Sequence, residues 1–352
     1  MKLTRRFLLS TSLSLGLALG LSGAAAAHEK VKVVTTFSIL GDMTARIGGD
    51  RVDVTNLVGP DGDAHVYQPS PADARALAGA RLVIINGLDF EGWLPRLIDA
   101  SGYGGTVITA SAGVRTIESR DAHAHDEEDD DHGHGHAHGE KDDDHGHDHA
   151  HGEKDDDHGH DHAHGEKDHG HDHAHGPEDP HAWLDLTSAG LYVDNIAAAL
   201  ANIDPEGTDT YRANAAALRA EMAALEAEMR AWLATIPMED RPLVVVPHDA
   251  FAYFGRAYGF EFVSPVGTST ETEASARDVA GLVRRIRGGE PALIFGENIS
   301  DTRLVEQVAR EVGQEVAGVL YSGALSPAGG PAPDYVAMMR FNFEALKAAV
   351  AR

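Results

Sequence analysis

Three histidines stand far apart in the chain, and each lies in a short polar segment that also contains carboxylates. They are His65, His181 and His248, and the acids nearest to them are Asp63, Asp179, Asp185 and Asp249. Neutral imidazole is the commonest protein ligand for metals and suits zinc, copper and nickel. A ligating imidazole usually donates its other ring N–H to a carboxylate or a carbonyl. The three segments therefore predict one metal site, with the nearby acids as candidate partners of the ligands or as helix caps.

A second group of histidines has a different character. Eighteen of the 22 histidines fall in residues 121–176, together with 20 acidic residues and three lysines. A thirteen-residue unit begins at His136 and again at His149, and a shortened copy begins at His162. The tract has no apolar residue larger than alanine, so we predict a disordered loop insertion. Its histidines are expected to bind zinc weakly and exchangeably; the alternative is a merely solvating acidic segment.

The segments around these motifs alternate between strand and helix patterns. Predicted strands cover residues 31–37, 52–58, 81–86 and 106–109 in the first half, and 243–246, 261–263, 292–295 and 315–320 in the second. Helices are predicted between them, including 38–47, 71–78 and 90–100. This alternation predicts parallel α/β sheets. His65 and His248 both follow strands, and ligands of open parallel sheets bind beyond the carboxyl ends of the strands.

A long helix is predicted between the two halves, over residues 208–236. Its apolar residues recur at helical spacing and form one stripe: Leu218, Met222, Leu225, Met229 and Trp232. At ~1.5 Å per residue the helix would be about 40 Å long. We therefore predict two α/β domains with parallel sheets, joined by one long rigid helix, with the metal site in the cleft between the domains.

The N-terminus predicts export. Lys2, Arg5 and Arg6 precede an apolar stretch at residues 7–21, and small residues 25–27 offer a cleavage site before His28. The Arg5-Arg6 pair leaves both the general and the twin-arginine route open. The chain has no cysteine, so neither disulfides nor a lipoprotein anchor is expected. With no later membrane-spanning pattern, a soluble monomer in the periplasm is predicted.

The predicted organisation follows from these features. It comprises a signal peptide (1–27), an N-terminal α/β domain (28–207) with the insertion at 121–176, a linking helix (208–236) and a C-terminal α/β domain (237–352). The formal net charge is −27, of which −17 lies in the tract. No basic stripe is present, so nucleic acid is excluded as a partner.

The motifs resemble those of the ZnuA-like family, the metal-binding proteins of zinc and manganese ABC importers. The resemblance covers essentially the whole mature chain and lies in the segments 58–69, 179–185, 247–254, 295–298 and 321–325. It implies that His65, His181 and His248 are the metal ligands. Manganese members typically have a carboxylate at the position of His248, so zinc is favoured. Many members have an aspartate ligand where this chain has Gly323, which leaves water, Glu297 or a tract histidine as the fourth ligand.

The resemblance implies a function without catalysis. The expected role is that of a periplasmic high-affinity zinc-binding protein, which captures Zn²⁺ and delivers it to an inner-membrane ABC permease. One alternative is a zinc buffer or chaperone without a transporter. Another is a zinc hydrolase with water in the fourth position and Glu297 as base, although the chain contains no HExxH motif. Manganese or copper cargo is disfavoured by the three imidazoles and by the lack of Met- or Cys-rich segments.

Overall fold

The computed structural model describes residues 29–119 and 178–352. The predicted signal peptide and the histidine-rich tract lie outside these residues. Within the described parts, no helix has both the length and the apolar character needed to cross a bilayer.

The first lobe is built on a four-stranded parallel sheet in the order β2-β1-β3-β4. Its strands are β1 Val31–Phe37, β2 Val52–Val58, β3 Leu82–Ile85 and β4 Thr106–Thr109. Its helices are α1 Ser38–Gly48, α2 Pro71–Ala78, α3 Leu94–Ser101 and α4 Leu186–Ile203. Strand β1 pairs on both sides and is buried along almost its whole length. Its run of β-branched residues suits such a central strand.

The second lobe repeats this plan. Its parallel sheet has the order β6-β5-β7-β8. The strands are β5 Leu243–Val245, β6 Phe262–Val263, β7 Ala292–Glu297 and β8 Val316–Leu320. The helices are α6 Ala252–Tyr258, α7 Ala276–Arg287, α8 Arg303–Val312 and α9 Tyr335–Val350. The prediction of two parallel α/β lobes is confirmed.

The long helix, α5 Thr208–Leu233, has 26 residues, or about 39 Å at ~1.5 Å per residue. The predicted stripe is buried as far as Met229 and then continues through Leu233. Trp232 is only partly buried, and its ring lies against Phe260 and Phe343. The helix packs on α1 and α4 of the first lobe and on α9 of the second. It therefore braces both lobes, as predicted.

The two lobes share one apolar core. A single cluster of buried side chains runs from Phe37 in β1, through Trp183, to Phe254 in α6 and Phe343 in α9. A smaller cluster, which includes Leu243, Val283 and Val308, lies between the second sheet and helices α7 and α8. Because the main core crosses between the lobes, a large hinge motion would expose apolar surface and would be costly.

Candidate metal centre

The three predicted ligands lie in loops that meet between the lobes. His65 lies in the loop between β2 and α2. His181 immediately precedes a short 3₁₀ turn, Ala182–Leu184, that leads into α4. His248 lies just beyond β5 and forms an isolated bridge with Val266. All three are buried, with exposed fractions of 6%, 0% and 1%.

The three imidazoles form a nearly regular triangle. Their ring centroids are 5.2, 5.3 and 5.6 Å apart, and one ligand nitrogen from each ring lies within 4.8 Å of the others. The Nε2 atoms of His65 and His181 are 3.2 Å apart. Two nitrogens bound to one tetrahedral zinc, at about 2.0–2.1 Å each, would lie about 3.3 Å apart. The arrangement therefore fits a single ion of this size.

Asp179 orients His181. Its Oδ1 lies 2.8 Å from Nδ1 of the ring and also accepts the backbone N–H of His181 at 2.9 Å. When Nδ1 carries the proton and donates it to Asp179, Nε2 presents its lone pair toward His65. The second lobe holds this segment in place, because the Tyr253 hydroxyl donates to the Asp179 carbonyl at 3.0 Å.

The carboxylate of Glu297 faces Nδ1 of His248, as that of Asp179 faces Nδ1 of His181. Glu297 is the last residue of β7, the strand next to β5, and its Oε2 lies 2.7 Å from Nδ1 of His248. Its carboxylate also accepts the backbone N–H of His248 at 3.2 Å and the Ser322 hydroxyl at 2.5 Å. Burial lowers the pKa of His248, but the nearby carboxylates of Glu297, Asp63 and Asp249 together outweigh burial, and the net pKa is raised. Metal binding would displace the proton that these carboxylates favour.

Neither ring nitrogen of His248 makes a well-aligned hydrogen bond to the described residues, although Nδ1 lies 2.7 Å from Oε2 of Glu297. Nε2 of His248 is buried and receives no hydrogen bond from any of the described residues. A buried polar atom without a partner is unfavourable. Since Nδ1 faces Glu297, Nε2 is the nitrogen left for a metal. The donor set therefore fits a metal ion by chemistry as well as by distance.

Two of the other three predicted acids, Asp63 and Asp185, have different roles. Asp63 accepts the backbone N–H of His65 at 2.9 Å and the Thr270 hydroxyl at 2.6 Å, and so ties the His65 loop to the second lobe. Asp185 is the N-cap of α4, where it accepts the backbone N–H groups of Thr187 and Ser188. Asp185 is therefore a helix cap and not a partner of an imidazole.

The fourth position receives no carboxylate from the described residues. The group of converging ligand atoms there consists of the three histidines alone. Glu297 meets His248 at the nitrogen that faces away from this group. A Cβ on Gly323 would lie 3.0 Å from Cδ1 of Ile299, so an apolar side chain borders this backbone.

A cavity of about 520 Å³ reaches the site from the surface. His248 lines it, together with Asp63 from the first lobe and Thr270, Ile299 and Asp301 from the second. The cavity brings solvent-accessible space up to His248, while His65 and His181 are not among its lining residues. Its carboxylates favour a positive charge, although Arg303 pairs with Asp301 at the rim.

Glu297 is the site residue whose role the sequence did not reveal. The sequence predicts Glu297 only as a fourth ligand or a general base, whereas in the structure its carboxylate faces Nδ1 of His248. Its position two residues after the predicted strand 292–295 is the signal that the sequence offers. Carboxyl ends of neighbouring parallel strands lie at one sheet edge, which places Glu297 beside the residues that follow β5.

The chain matches known metal-binding proteins over nearly its full length. The model of the ZnuA family, described as zinc-uptake complex component A, periplasmic, matches residues 33–349. The iron-binding protein YfeA of Yersinia pestis is 27% identical over 319 residues, 90% of this chain and 86% of that protein. The manganese-binding lipoprotein MntA of Halalkalibacterium halodurans is 27% identical over 324 residues, 92% of this chain and 89% of that protein.

Solved structures agree with the sequence relatives. The periplasmic zinc binding protein TroA of Treponema pallidum superposes with a TM-score of 0.72 and 25% identity, covering 92% of this chain and 100% of that chain. A Mn-bound periplasmic metal binding protein of Candidatus Liberibacter asiaticus has a TM-score of 0.68 and 25% identity, with coverage of 92% and 100%. With two parallel α/β lobes, a long connecting helix and a buried triangle of histidines between them, this chain belongs to the ZnuA family of metal-binding proteins.

Proposed function

We propose that this protein binds Zn²⁺ in the periplasm and delivers it to the inner-membrane permease of an ABC importer. The family model is described as a periplasmic component of a zinc-uptake complex, and one relative is named as the substrate-binding lipoprotein of an iron ABC transporter. The relatives are named for iron, manganese and zinc, so the choice of metal has to come from this chain's own site.

The observation that carries the proposal is the all-nitrogen ligand triangle. His65, His181 and His248 converge within 4.8 Å without a carboxylate among them. Imidazole suits zinc, whereas manganese favours oxygen ligands. The buried carboxylates of Asp179 and Glu297 face the outer ring nitrogens. Their two negative charges would balance a divalent cation without occupying its coordination sphere.

The fourth zinc ligand is proposed to be water, with a histidine of the tract as the alternative. Glu297 is occupied by His248 and Ser322, and Gly323 has no side chain. A position held by an exchangeable ligand would also allow the ion to leave toward the permease, because the protein then breaks three bonds rather than four.

Metal titration of the full-length, metal-free protein tests the choice of zinc. We expect zinc to bind with a dissociation constant below 1 µM and manganese to bind at least about a thousandfold more weakly, given the nitrogen donors. Manganese or iron(II) affinity within about tenfold of zinc would reject the zinc assignment while leaving the metal site itself in place.

A zinc buffer without a transporter is the main alternative. A strain lacking this gene separates the two, because loss of an importer component should abolish growth under zinc chelation and growth should return with added zinc. Normal growth and normal zinc uptake in the deletion strain would favour the buffer. The hydrolase hypothesis has less support than the other two, because its candidate base, Glu297, faces Nδ1 of His248 and not the converging nitrogens.

Deleting the histidine-rich tract should leave the cleft site intact. The described residues on its two sides pair with each other: Glu118 and Glu178 form an antiparallel bridge, and Asp179 N–H donates to the Ile117 carbonyl at 2.8 Å. A short Gly-Asn turn can therefore replace residues 121–176. We expect unchanged affinity at the tightest zinc site and a lower total stoichiometry, measured by chelator competition and elemental analysis. Loss of the tightest site on deletion would show that the tract supplies an essential ligand.

A further inference from the structure

Glu91 is a buried carboxylate that lies outside the ligand triangle. Its Oε1 accepts the Thr36 hydroxyl and the Asn86 backbone N–H, both at 2.6 Å, and its Oε2 accepts the Gly87 backbone N–H at 3.2 Å. These donors are neutral. Burial raises the pKa of Glu91 to about 7, although the three hydrogen bonds oppose the rise. Burying an ionisable group without a cationic partner is unfavourable. We therefore expect the carboxylate to stabilise another part of the structure.

That part is the unusual loop that Glu91 closes. Gly87, Leu88 and Asp89 have φ angles of 83°, 56° and 56°. Left-handed backbone is unfavourable for non-glycine residues such as Leu88 and Asp89, so this loop needs fixed anchors. A Cβ on Gly87 would lie 2.4 Å from Cγ2 of Thr109, which also requires glycine there. Glu91 stands after the loop and binds the backbone before it, so its carboxylate joins the two ends.

The loop reaches His65 by two contacts. The Phe90 ring lies edge-on to the His65 ring, with centroids 4.8 Å apart. The Trp93 indole N–H donates to the carbonyl of Ala64, the residue before His65, at 2.8 Å. Displacing residues 90–93 would therefore displace His65.

The same loop also reaches the His181 segment. The Asn86 side-chain amide donates to the carbonyl of Pro180, the residue before His181, at 3.0 Å. The Tyr192 hydroxyl donates to Oδ1 of Asn86 at 2.7 Å and fixes the orientation of that amide. Phe90 extends toward His181 as well, with centroids 6.0 Å apart. One loop thus contacts the backbone or ring of two of the three ligands.

We propose that Glu91 is a positioning residue of the metal centre: by clamping the left-handed loop 86–91, it sets the separation of His65 and His181. The inference rests on the proposed metal-binding function. Ligand separation matters because a metal site must be held within about 0.5 Å of its productive geometry. Loss of the hydrogen bonds to Glu91 would increase the distance between His65 and His181, or make it more variable, without removing any ligand.

The test compares Glu91→Gln with wild type in the full-length protein. Glutamine has the same size as glutamate. If its amide oxygen accepted the hydrogen bonds from Thr36 and Asn86, its NH₂ group would face the backbone N–H of Gly87, and two donors would then oppose each other. We expect zinc affinity to fall roughly tenfold, as for loss of other outer partners of ligands. The absorption spectrum of the cobalt(II)-substituted protein should also change, since it reports ligand geometry directly.

Asp42→Asn serves as the matched control. Asp42 is another largely buried carboxylate, and burial raises its pKa to about 6, but it accepts the Tyr335 backbone N–H at the junction of α1 and α9. We expect the zinc affinity and the cobalt spectrum of Asp42→Asn to equal those of wild type. If Glu91→Gln does not fold, Thr36→Val removes one donor to the carboxylate and should shift both readouts in the same direction.

The pH dependence of thermal stability distinguishes a positioning role of Glu91 from general support of the fold. The folded-state pKa of Glu91 lies above its ordinary 4.5, so the stability linked to its protonation is fully present below pH 4.5 and is lost as pH rises through about 7. The difference in thermal stability between metal-free Glu91→Gln and wild type should therefore shift in favour of the variant as pH rises from 4.5 to about 7, while the variant binds zinc more weakly.

Unchanged zinc affinity and an unchanged cobalt spectrum in Glu91→Gln would overturn the inference, as would an equal effect of Asp42→Asn. The wild-type titration in the same series tests the proposed function. Weak zinc binding by wild type rejects that function, whereas tight binding by both wild type and Glu91→Gln rejects only the role of Glu91.

Discussion

Replacing His248 with alanine should lower zinc affinity at least about a hundredfold. Zinc sites with four protein ligands release about 10–16 kcal/mol on binding, which corresponds to roughly 3 kcal/mol or more for each ligand. His248 is fully buried, and its Nε2 lacks a partner among the described residues. The measurement is chelator competition in the tract-deleted background, where no other histidine cluster can compensate.

The His248→Asp variant tests whether the residue at this position determines the choice of metal. A carboxylate oxygen in place of the imidazole should lower the ratio of zinc to manganese affinity, because oxygen ligands suit manganese. Both variants should keep a folded far-UV spectrum, since the His248 ring contributes little apolar core. Wild-type zinc affinity in His248→Ala after tract deletion would remove His248 from the site.

Glu297→Gln should weaken zinc binding about tenfold to a hundredfold, which is the usual effect of losing a carboxylate partner of a ligating histidine. Oε2 lies 2.7 Å from Nδ1 of His248, and Ser322 and the His248 backbone hold the carboxylate in place. Glutamine can keep the position but loses the negative charge that balances the ion. Isothermal titration of the tract-deleted protein would measure the change.

Asp185→Asn is the matched control for this variant. Asp185 is a buried carboxylate close to His181 in sequence, but it caps α4, and asparagine is an equally good cap. We expect unchanged zinc affinity in Asp185→Asn. If the two variants weakened binding equally, the effect of Glu297 would reflect general electrostatics and not its contact with His248.

Local patterns predicted most of the framework. The β-branched runs at residues 31–37 and 52–58 and the proline-led helix at 71–78 have the predicted bounds in the structure. The Ser70 capping box explains the sharp start of α2. The three histidines converge as expected because two of them follow the carboxyl ends of strands. Their role as zinc ligands stays a prediction for the experiments above.

The differences arise where distant residues override local preference. The helix predicted from residue 90 begins at Leu94, because Leu88 and Asp89 adopt left-handed backbone and Glu91 turns back to Thr36. The predicted α5 stripe ends on Leu233 because Trp232 turns toward aromatic residues of the second lobe. Contacts of this kind join residues far apart in the chain, and no short-range pattern encodes them.

The contacts between the lobes bear on how the ion would leave. The Trp183 indole donates to the Ser322 carbonyl at 2.7 Å, and the Leu325 N–H donates to the Ser38 hydroxyl at 2.9 Å. Together with the shared core and helix α5, these bonds oppose wide opening. We therefore expect release to require movement of the loops around His65 and His248 and not a hinge motion of whole lobes.

The central claim is that three imidazoles hold one zinc ion between the lobes. Anomalous diffraction at the zinc edge, from crystals of the zinc-loaded, tract-deleted protein, tests it most directly. We predict one strong peak with Nε2 of His65, His181 and His248 at about 2.0–2.1 Å, and with Glu297 still facing Nδ1 of His248. A peak elsewhere, or an ion coordinated by Glu297 in place of His248, would contradict the account.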